Sequence, residues 1–297
     1  MEITSSERDP FVYDPVIFLA PARSHSSVVA AMVGLHPELY GFPELILFDF
    51  STIGERLDAP PAIGKIPPGW NPVIGLERAL AQLHSGTQGK EEIKEARLWL
   101  EARRSWTGAH VMDHLLSLIN PLRGVEKSPE TVNGEDKLTR AAEAYPRARF
   151  VHLARHPVTA QRSVQAYYGL FDHPIHCARG WLNQHRRIVQ FCRTLEEDRY
   201  LLVRSEDVLN DPQTHLRLIA GWLGIRTDVE ALTSMMHPEK SPYANTEVAG
   251  GNDLMFLQQP SPHPVELPPS LDPPLHCNMP EDLWSEIASL AEELGYG

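Results

Sequence analysis

The sequence predicts an α/β fold with a central parallel sheet and helices on both of its faces. Short apolar runs typical of buried strands recur along the chain, and stretches of helical periodicity lie between them. Strands that alternate with helices are typical of βαβ units, in which neighbouring strands run parallel. Right-handed crossovers then bring the carboxyl ends of the strands to one edge of the sheet, where open α/β folds bind ligands. The predicted strands are VIFLA (16–20), GVEKS (124–128), FVHLAR (150–155) and YLLVR (200–204).

Helices are predicted between and after these strands. They are expected at 27–35, 90–104, 107–119, 135–144, 158–168, 178–195 and 212–223, and an amphipathic helix is expected at 281–294. Two Pro-rich stretches show neither helical nor strand periodicity. We predict an exposed loop or lid at 58–72 and an extended strap over the domain at 258–274. We therefore expect a single domain over residues 1–297, with a core at about 15–257 and the strap and last helix at 258–297.

Composition restricts the class of protein. The 297 residues are 42% hydrophobic and carry a formal net charge of −12, which argues against a surface for nucleic acid or anionic membrane. No apolar run approaches the roughly eighteen residues of a membrane span, and the start of the chain lacks a secretion signal. Cys177, Cys192 and Cys277 lack metal-binding spacing and are typical thiols of a reducing compartment. A cytoplasmic globular protein is expected, in which any bound anion is held by a local cationic site.

The segment PARSHSS (21–27) lies between the first strand and the first helix. A helix N-terminus at this place exposes backbone N–H groups whose partial positive charge favours an anion. Ser24, Ser26 and Ser27 add hydroxyl donors, and the guanidinium of Arg23 is suited to two phosphate oxygens. The ATP-binding pattern GxxxxGK[ST] is not matched, because no Lys precedes the serine pair. The segment predicts an anion site or, alternatively, an ordinary helix capped by serine.

Three other segments place polar residues after predicted strands. FVHLARHPVTAQRSVQAYYG (150–169) puts Arg155 at the end of a strand and Ser163 two turns into the next helix. GVEKSPE (124–130) puts Lys127 at the end of another strand, and LLVRSEDVLNDPQTHLRLIAGWLGI (201–225) predicts a strand, an acidic turn and a helix. In this order the segments resemble the sulfotransferases that use 3′-phosphoadenosine 5′-phosphosulfate. The resemblance runs from about residue 15 to 257 and implies a three-layer P-loop-like fold.

Individual motifs carry this resemblance. PARSHSS is similar to the 5′-phosphosulfate loop of the family, P-x-R-S-G-[ST]-[ST], and LARHP followed by Ser163 resembles its 3′-phosphate motif. VRSEDVLNDP resembles the family segment R-Y-E-D-L-x-x-x-P. FPELILFDFSTIGERL and GGNDLMFLQ are most similar to bacterial sulfotransferases related to the sulfotransferase domains of polyketide and olefin synthases. Those domains sulfonate a β-hydroxyl of an acyl chain.

The resemblance implies a sulfotransferase reaction. A sulfonate would pass from 3′-phosphoadenosine 5′-phosphosulfate to a hydroxyl of a small-molecule or acyl/polyketide-like acceptor, free or carrier-bound. The product would be adenosine 3′,5′-bisphosphate, and no metal is required. The alternative is a P-loop-like nucleotide-binding protein, regulatory or kinase-like, that lacks this activity. Neither nucleic acid nor a membrane is an expected partner, while the acceptor and the oligomeric state stay open.

The same resemblance implies a role for each matching residue. The phosphosulfate cradle would be formed, mostly through backbone N–H groups, by Arg23, Ser24, His25, Ser26 and Ser27. Arg155 and Ser163 match the pair that binds the 3′-phosphate. Lys127 matches a lysine beside the donor sulfonate that offsets the charge building on the leaving phosphate, and its alternative is a surface lysine in a turn.

Sulfonate transfer to a hydroxyl also needs a base that takes the hydroxyl proton. Glu44 is the predicted base, because related tyrosine-sulfating enzymes have a glutamate at the same distance beyond the Arg-Ser loop. Its alternative is a solvated loop carboxylate. Other branches of the family use a histidine, for which the candidates here are His110, His114 and His173.

Three positions depart from the family pattern. His25 stands where the family usually has glycine, at a loop position suited to the conformations of glycine. Ser205 replaces the usual tyrosine after Arg204, which removes an aromatic contact there. Asn245 is the position nearest to a histidine of the olefin-synthase relatives, and this difference favours Glu44 as the base.

Overall fold

The computed structural model describes residues 14–59, 73–168, 174–244, 250–268, 270–272 and 279–297. Within these ranges the strands are β1 (Val16–Leu19), β2 (Leu39–Gly41), β3 (Arg123–Lys127), β4 (Arg149–Ala154) and β5 (Tyr200–Arg204). They form one parallel sheet in the order β2-β3-β1-β4-β5. The predicted α/β class with a parallel sheet is confirmed.

The helices cover both faces of this sheet. They are α1 (Ser26–Gly34), α2 (Ile53–Asp58), α3 (Ile74–Ser85), α4 (Lys90–Glu101), α5 (Gly108–Ile119), α6 (Glu135–Ala144), α7 (Pro157–Tyr168), α8 (Pro174–Cys192), α9 (Ser205–Asn210), α10 (Pro212–Leu223), α11 (Val229–Ser234), α12 (Leu254–Gln258) and α13 (Glu281–Glu293). None of the helices in the described ranges is long and apolar enough to cross a membrane.

The predicted helices are present, with ends that coincide or differ by at most four residues, and several short elements were missed. The expected acidic turn after β5 is instead the short helix α9. β2 has only three residues, too few to show an alternating pattern, and its hydrogen bonds to β3 are long-range contacts. Most of the predicted loop or lid at 58–72 lies outside the described residues.

The order of the strands explains where the polar segments meet. β1 is completely buried at the centre of the sheet, as its run of four apolar residues predicts. Phe18 of β1 pairs with Lys127 of β3, and Leu19 pairs with His152 of β4. The segments that follow β1, β3 and β4 therefore leave the sheet side by side at its carboxyl edge.

Two apolar clusters pack on opposite faces of the sheet, and the C-terminal part of the chain adds a third. One cluster joins the sheet to α3, α4, α5 and α6, and the other joins it to α1, α9 and α10. In the third cluster, Trp284 and Ile287 of α13 pack with Trp181 of α8. Residues 259–268 have no regular secondary structure, as predicted for a strap. Val265 in this stretch exchanges two hydrogen bonds of 2.7 and 3.0 Å with the Asn210 side chain.

Candidate active site

The loop between β1 and α1 has a left-handed backbone at two positions. Arg23 has φ of 67° and His25 has φ of 57°. This conformation costs energy for any residue other than glycine. The expectation that position 25 requires a glycine-like conformation agrees with this geometry. His25 Nδ1 lies 3.1 Å from the Ser205 hydroxyl, so the residue that replaces the family tyrosine contacts the residue that replaces the family glycine. Burial and the charges of Arg155 and Arg23 lower the pKa of His25 to about 3, so its ring is neutral.

The N-terminus of α1 has no side-chain cap. Its N-cap residue is His25, which forms no capping hydrogen bond, so the alternative of an ordinary serine-capped helix is wrong. The Ser24 hydroxyl is buried and has no hydrogen-bond partner among the described residues. Buried polar groups are seldom left unpaired in native proteins. The loop therefore offers unpaired backbone and hydroxyl donors at the positive end of a helix, which is the chemistry that an anion requires.

Arg23 and Arg155 come from different strands and line the same cavity of about 240 Å³. The Arg155 guanidinium donates a hydrogen bond of 2.6 Å to the backbone oxygen of Arg23 and one of 3.2 Å to the Thr159 hydroxyl. Burial lowers the pKa of Arg155 to about 10, which leaves it cationic at neutral pH. Ser163 was expected to act with Arg155, but its hydroxyl accepts a hydrogen bond of 3.1 Å from Arg23. The two cations thus converge on one cleft.

Asp253 is a member of this site that the sequence did not identify. Its carboxylate forms an ion pair with Arg23, and its backbone N–H donates a hydrogen bond of 3.2 Å to the Ser27 hydroxyl. It also caps α12 by accepting a hydrogen bond of 2.8 Å from the Met255 N–H. The remaining cavity wall is largely apolar and is formed by Val28, Leu209, Met255, Phe256, Pro264 and Val265, with Gln259, Ser261 and His263 as polar members.

Lys127 and Glu44 form an ion pair next to Ser27, a residue of the loop that lines this cavity. The Lys127 side chain is 2% exposed, donates a hydrogen bond of 2.9 Å to the Ser27 hydroxyl and forms an ion pair with Glu44. Lys127 is therefore no surface lysine. The Glu44 side chain is 16% exposed, and its carboxylate is held by this ion pair rather than solvated in a loop. The structure brings the predicted base, the predicted lysine and a cradle serine into direct contact.

The backbone around Glu44 is held by groups to which the sequence pattern assigns no role. The Glu44 N–H donates a hydrogen bond of 2.7 Å to the Gly251 carbonyl, and Gly75 of α3 packs against the Glu44 carbonyl. Two residues further on, Ile46 has φ of 49°, and its N–H donates a hydrogen bond of 2.8 Å to the Ser128 hydroxyl. Arg56 of α2 is fully buried and donates hydrogen bonds to the Leu45 and Ile46 carbonyls. Arg56, Ser128 and Gly251 lie in segments that carry the family resemblance, but the sequence does not reveal these contacts.

A second cavity, of about 320 Å³, begins at the other wall of the loop between β1 and α1. Its lining residues come from that loop, from the segment after β3, and from α7 and α8: Pro21, Ala22, Pro129, Glu130, Asn133, Ala160, Gln161, Val164, His176, Cys177, Gly180, Trp181 and Gln184. Both cavities thus border on the loop that presents the unpaired donors.

The candidate histidines for the base lie away from these cavities or outside the described residues. His110 Nδ1 lies 2.8 Å from the hydroxyl of Thr107 at the start of α5, and His114 Nε2 lies 2.9 Å from His84 Nε2. Neither histidine is among the residues that line the two cavities, and Glu44 is not among them either; Glu44 differs from the histidines by its ion pair with Lys127, which hydrogen-bonds Ser27 of the loop. His173 and Asn245 fall outside the described residues. Within the described ranges no group of three or more His, Cys, Asp or Glu side chains is arranged to hold a metal ion.

Comparison with known proteins identifies the family. A sequence profile of the sulfotransferase family matches residues 15–229, and the chain belongs to this family. Among solved structures, the chain is similar to the sulfotransferase domain from the Synechococcus PCC 7002 olefin synthase, with 25% identity, a TM-score of 0.73 and 96% of each chain covered. It is also similar to the sulfotransferase domain from the curacin biosynthetic pathway, with 20% identity and a TM-score of 0.75, covering 96% of this chain and 98% of that one. A search of curated protein sequences found no match.

Proposed function

We propose that this protein transfers the sulfonate of 3′-phosphoadenosine 5′-phosphosulfate to a hydroxyl of an acyl- or polyketide-like acceptor. The observation that carries the proposal is the convergence of Arg23 and Arg155 on one cavity at the uncapped N-terminus of α1. Two cations and a helix N-terminus in one cleft suit a ligand with two separate anionic groups. The motif resemblance and the family support 3′-phosphoadenosine 5′-phosphosulfate as that ligand.

The residues of the cavity fit this donor. Arg23, the N–H groups at the start of α1, and the hydroxyls of Ser24, Ser26 and Ser27 would hold the 5′-phosphosulfate. Arg155 would hold the 3′-phosphate, and Ser163 would position Arg23 through the hydrogen bond between them. The Ser24 hydroxyl is buried and lies outside the lining of this cavity, so its part in the assignment rests on the motif resemblance alone. The neutral ring of His25 adds a polar edge without a third full charge.

The chemistry proposed for the site is an in-line displacement at sulfur. Glu44 takes the proton of the acceptor hydroxyl, and the oxygen of that hydroxyl forms the new bond to sulfur. At the same time the bond between sulfur and the bridging phosphate oxygen breaks. Lys127 offsets the negative charge that develops on the leaving phosphate. The ion pair between Lys127 and Glu44 keeps the two side chains together. The group that accepts the hydroxyl proton therefore lies beside the group that offsets the charge of the leaving phosphate. Positioning and charge stabilisation then provide most of the rate acceleration, as in phosphoryl transfer.

The acceptor class rests on the similarity to the olefin synthase domain at 25% identity over almost the whole chain. Sulfotransferase domains in synthases of this kind act on hydroxyls of acyl chains, and a carrier-bound acceptor follows from the same comparison. The alternative function, nucleotide binding without sulfonate transfer, makes a different prediction about ligands. Calorimetry with adenosine 3′,5′-bisphosphate and with ATP distinguishes the two functions. We expect tight binding of the bisphosphate, and binding of ATP alone would contradict the sulfotransferase proposal.

Replacement of Glu44 tests the proposed base. Glu44→Gln keeps the shape of the side chain and removes its ability to accept a proton, so we expect sulfonate transfer to fall about 100-fold or more. Affinity for adenosine 3′,5′-bisphosphate should change less than about threefold, because Glu44 does not line the cavity of about 240 Å³ that we assign to the donor, the donor cavity. Transfer is followed with radiolabelled donor and affinity by calorimetry. Glu95→Gln, at an exposed position of α4, is the matched control and should leave both unchanged. Normal transfer by Glu44→Gln would assign the base to another residue.

A further inference from the structure

His25 lines the donor cavity with one of its two ring nitrogens in a hydrogen bond. Its Nδ1 atom lies 3.1 Å from the Ser205 hydroxyl, whereas its Nε2 atom has no hydrogen-bond partner in the part of the chain that the structure describes. The residue is only partly buried, so Nε2 is the polar atom that the ring can offer to a ligand. The kind of ligand group that it can bind depends on which nitrogen carries the ring proton.

A buried chain of hydrogen bonds behind the ring determines where that proton lies. Glu206 is fully buried, and its carboxylate accepts hydrogen bonds of 2.8 Å from the His156 N–H, 2.8 Å from the Tyr296 hydroxyl and 3.2 Å from the Ser205 hydroxyl. A carboxylate only accepts, so the single proton of the Ser205 hydroxyl points to Glu206. The Ser205 oxygen must then accept from His25, which places the ring proton on Nδ1. Nε2 therefore carries a lone pair.

The cations of the donor cavity keep the ring in this neutral form. Burial, together with the charges of Arg155 and Arg23 in the same cavity lining, lowers the pKa of His25 to about 3. A nitrogen lone pair repels the oxygens of phosphate and sulfonate and accepts a hydrogen bond from an O–H or N–H group. Nε2 is thus unsuited to the anionic groups of the donor, and it needs a ligand group that donates.

The proposed nucleotide has two groups that donate hydrogen bonds once its phosphates are ionised. These groups are the 2′-hydroxyl of the ribose and the 6-amino group of the adenine. The 2′-hydroxyl is attached beside the 3′-phosphate that we assign to Arg155, whereas the amino group lies at the far end of the base. The Arg155 guanidinium donates a hydrogen bond of 2.6 Å to the backbone oxygen of Arg23, two residues before His25. Of the two donating groups, the 2′-hydroxyl is therefore the one that belongs near His25.

We propose that His25 Nε2 accepts a hydrogen bond from the ribose 2′-hydroxyl of the donor, and that Ser205 is a positioning residue that holds the imidazole in the accepting tautomer. The inference rests on the proposed function, because it takes the nucleotide as the ligand of the donor cavity. It gives a common task to the two positions that depart from the family pattern. Such a site selects a ribonucleotide, since a 2′-deoxyribonucleotide leaves Nε2 without a partner.

Two matched nucleotides test the inference. Adenosine 3′,5′-bisphosphate and 2′-deoxyadenosine 3′,5′-bisphosphate differ only in the 2′-hydroxyl. The measured quantity is the ratio of their dissociation constants, obtained by calorimetry at one pH and one ionic strength. We expect the unmodified protein to bind the ribonucleotide about tenfold more tightly, which is the effect of one hydrogen bond to a shielded acceptor. Equal binding of the two nucleotides would overturn the inference without any variant.

His25→Gly tests whether the imidazole is the source of the preference. Glycine readily adopts the left-handed backbone of this position, where φ is 57°, so the loop should keep its shape. We expect the ratio to fall to within about twofold of one, while the affinity for the deoxynucleotide changes less than about threefold. An equal loss of both affinities would show that His25 only supports the loop, and a preference that persists would arise from the sugar itself. Either result would overturn the inference.

Ser205→Ala tests the positioning role. Without the Ser205 oxygen no acceptor holds the ring proton on Nδ1, and the tautomer with its proton on Nε2 cannot accept from the 2′-hydroxyl. We expect the ratio to fall to about threefold or less. Ser261→Ala is the control, because it removes a hydroxyl from the lining of the same cavity, and its ratio should match that of the unmodified protein. An unchanged ratio in Ser205→Ala would overturn the positioning role, and a lower ratio in Ser261→Ala would overturn the assignment to His25.

The same titrations separate failure of this inference from failure of the proposed function. If the unmodified protein binds both nucleotides with equal affinity, the role of His25 is wrong and the donor site stands. If it binds neither nucleotide, the proposed function itself is wrong.

Discussion

At the scale of single residues, the loop after β1 tolerates backbone conformations that side chains usually avoid. Left-handed backbone at a non-glycine residue costs on the order of 1 kcal/mol, and both Arg23 and His25 adopt it. The contacts that offset this cost are the packing and hydrogen bonds of their side chains, to Ser163 and Asp253 for Arg23 and to Ser205 for His25. The two residues that depart from the family pattern, His25 and Ser205, are therefore in direct contact.

Gly75 provides a residue-scale prediction about how Glu44 is positioned. A Cβ atom at Gly75 would lie 2.0 Å from the Glu44 carbonyl oxygen and 3.0 Å from the Gly251 Cα atom, so Gly75→Ala must displace the backbone that carries the proposed base. We expect sulfonate transfer to fall about 10- to 100-fold. Unfolding should cost about 1–3 kcal/mol less than in the unmodified protein. Transfer assays and denaturant titration measure the two effects.

Gly221→Ala is the matched control for that prediction. Gly221 lies in α10 with no atom within 4 Å of an added Cβ, so the change should stabilise the protein by about 0.5–1 kcal/mol and leave transfer unchanged. Full activity in Gly75→Ala would show that the close approach to Glu44 is not needed for its position.

At the scale of elements, the segment 250–257 packs beside α1 and contributes to the wall of the cavity that we assign to the donor. Its backbone contacts Glu44 through Gly251 and Ser27 through Asp253, and Phe256 forms part of the cavity wall. The segment thus connects the proposed base with the proposed anion cradle. Asp253 places a carboxylate on the cation that we assign to the phosphosulfate, where it competes with the anionic donor.

Asp253→Asn tests this competition. Asparagine keeps the cap of α12 but removes the negative charge, which at a partly exposed site contributes on the order of 1 kcal/mol against a nearby anion. We expect adenosine 3′,5′-bisphosphate to bind about fivefold more tightly, with a smaller gain at high salt. Calorimetry at two ionic strengths measures this difference. Weaker binding would instead assign Asp253 the task of orienting Arg23 for the donor.

At the scale of the whole molecule, buried histidines connect stability with pH. His152 of β4 and His185 of α8 are fully buried, with Nε2 of the former 2.8 Å from Nδ1 of the latter, and His152 Nδ1 lies 3.2 Å from the Tyr200 hydroxyl. Burial lowers the pKa of His152 to about 3 and that of His185 well below its usual value of 6.5. These groups stay neutral in the folded protein but bind protons when it unfolds, so they stabilise the fold above pH 6.5 and progressively less below it.

The pH dependence of a single variant isolates this contribution. His152→Gln should be less stable than the unmodified protein at pH 7.5, and the difference should shrink by about 2 kcal/mol at pH 5, because the unfolded variant has one fewer histidine to protonate. Denaturant titration at both pH values measures the difference. The comparison uses a variant because burial raises the pKa of Glu126 to about 7, and this acts on stability in the opposite direction. A constant difference between the two pH values would show that His152 is protonated in the folded protein.

The class of fold and the strand ends at which the site forms could be predicted from the sequence alone. The alternation of buried strands and helices predicts a parallel sheet, and that topology alone brings the ends of β1, β3 and β4 to one edge. The proximity of Arg23, Lys127 and Arg155 follows from this rule, because each stands at or shortly after the carboxyl end of a strand. Such information is local: strand periodicity and the type of the residue at each strand end are readable without knowing any long-range contact.

The contacts that those side chains make depend on the tertiary structure. Asp253 and Gly75 are distant in sequence from the loop, and they join the site only through packing between separate elements. The partner of Ser163 was also settled in this way, since one helix face lies within reach of both arginines. The effect of burial also cannot be read from the sequence. The pKa of Glu130 is raised because the surrounding chain excludes solvent from its carboxyl group, and no sequence pattern records this exclusion.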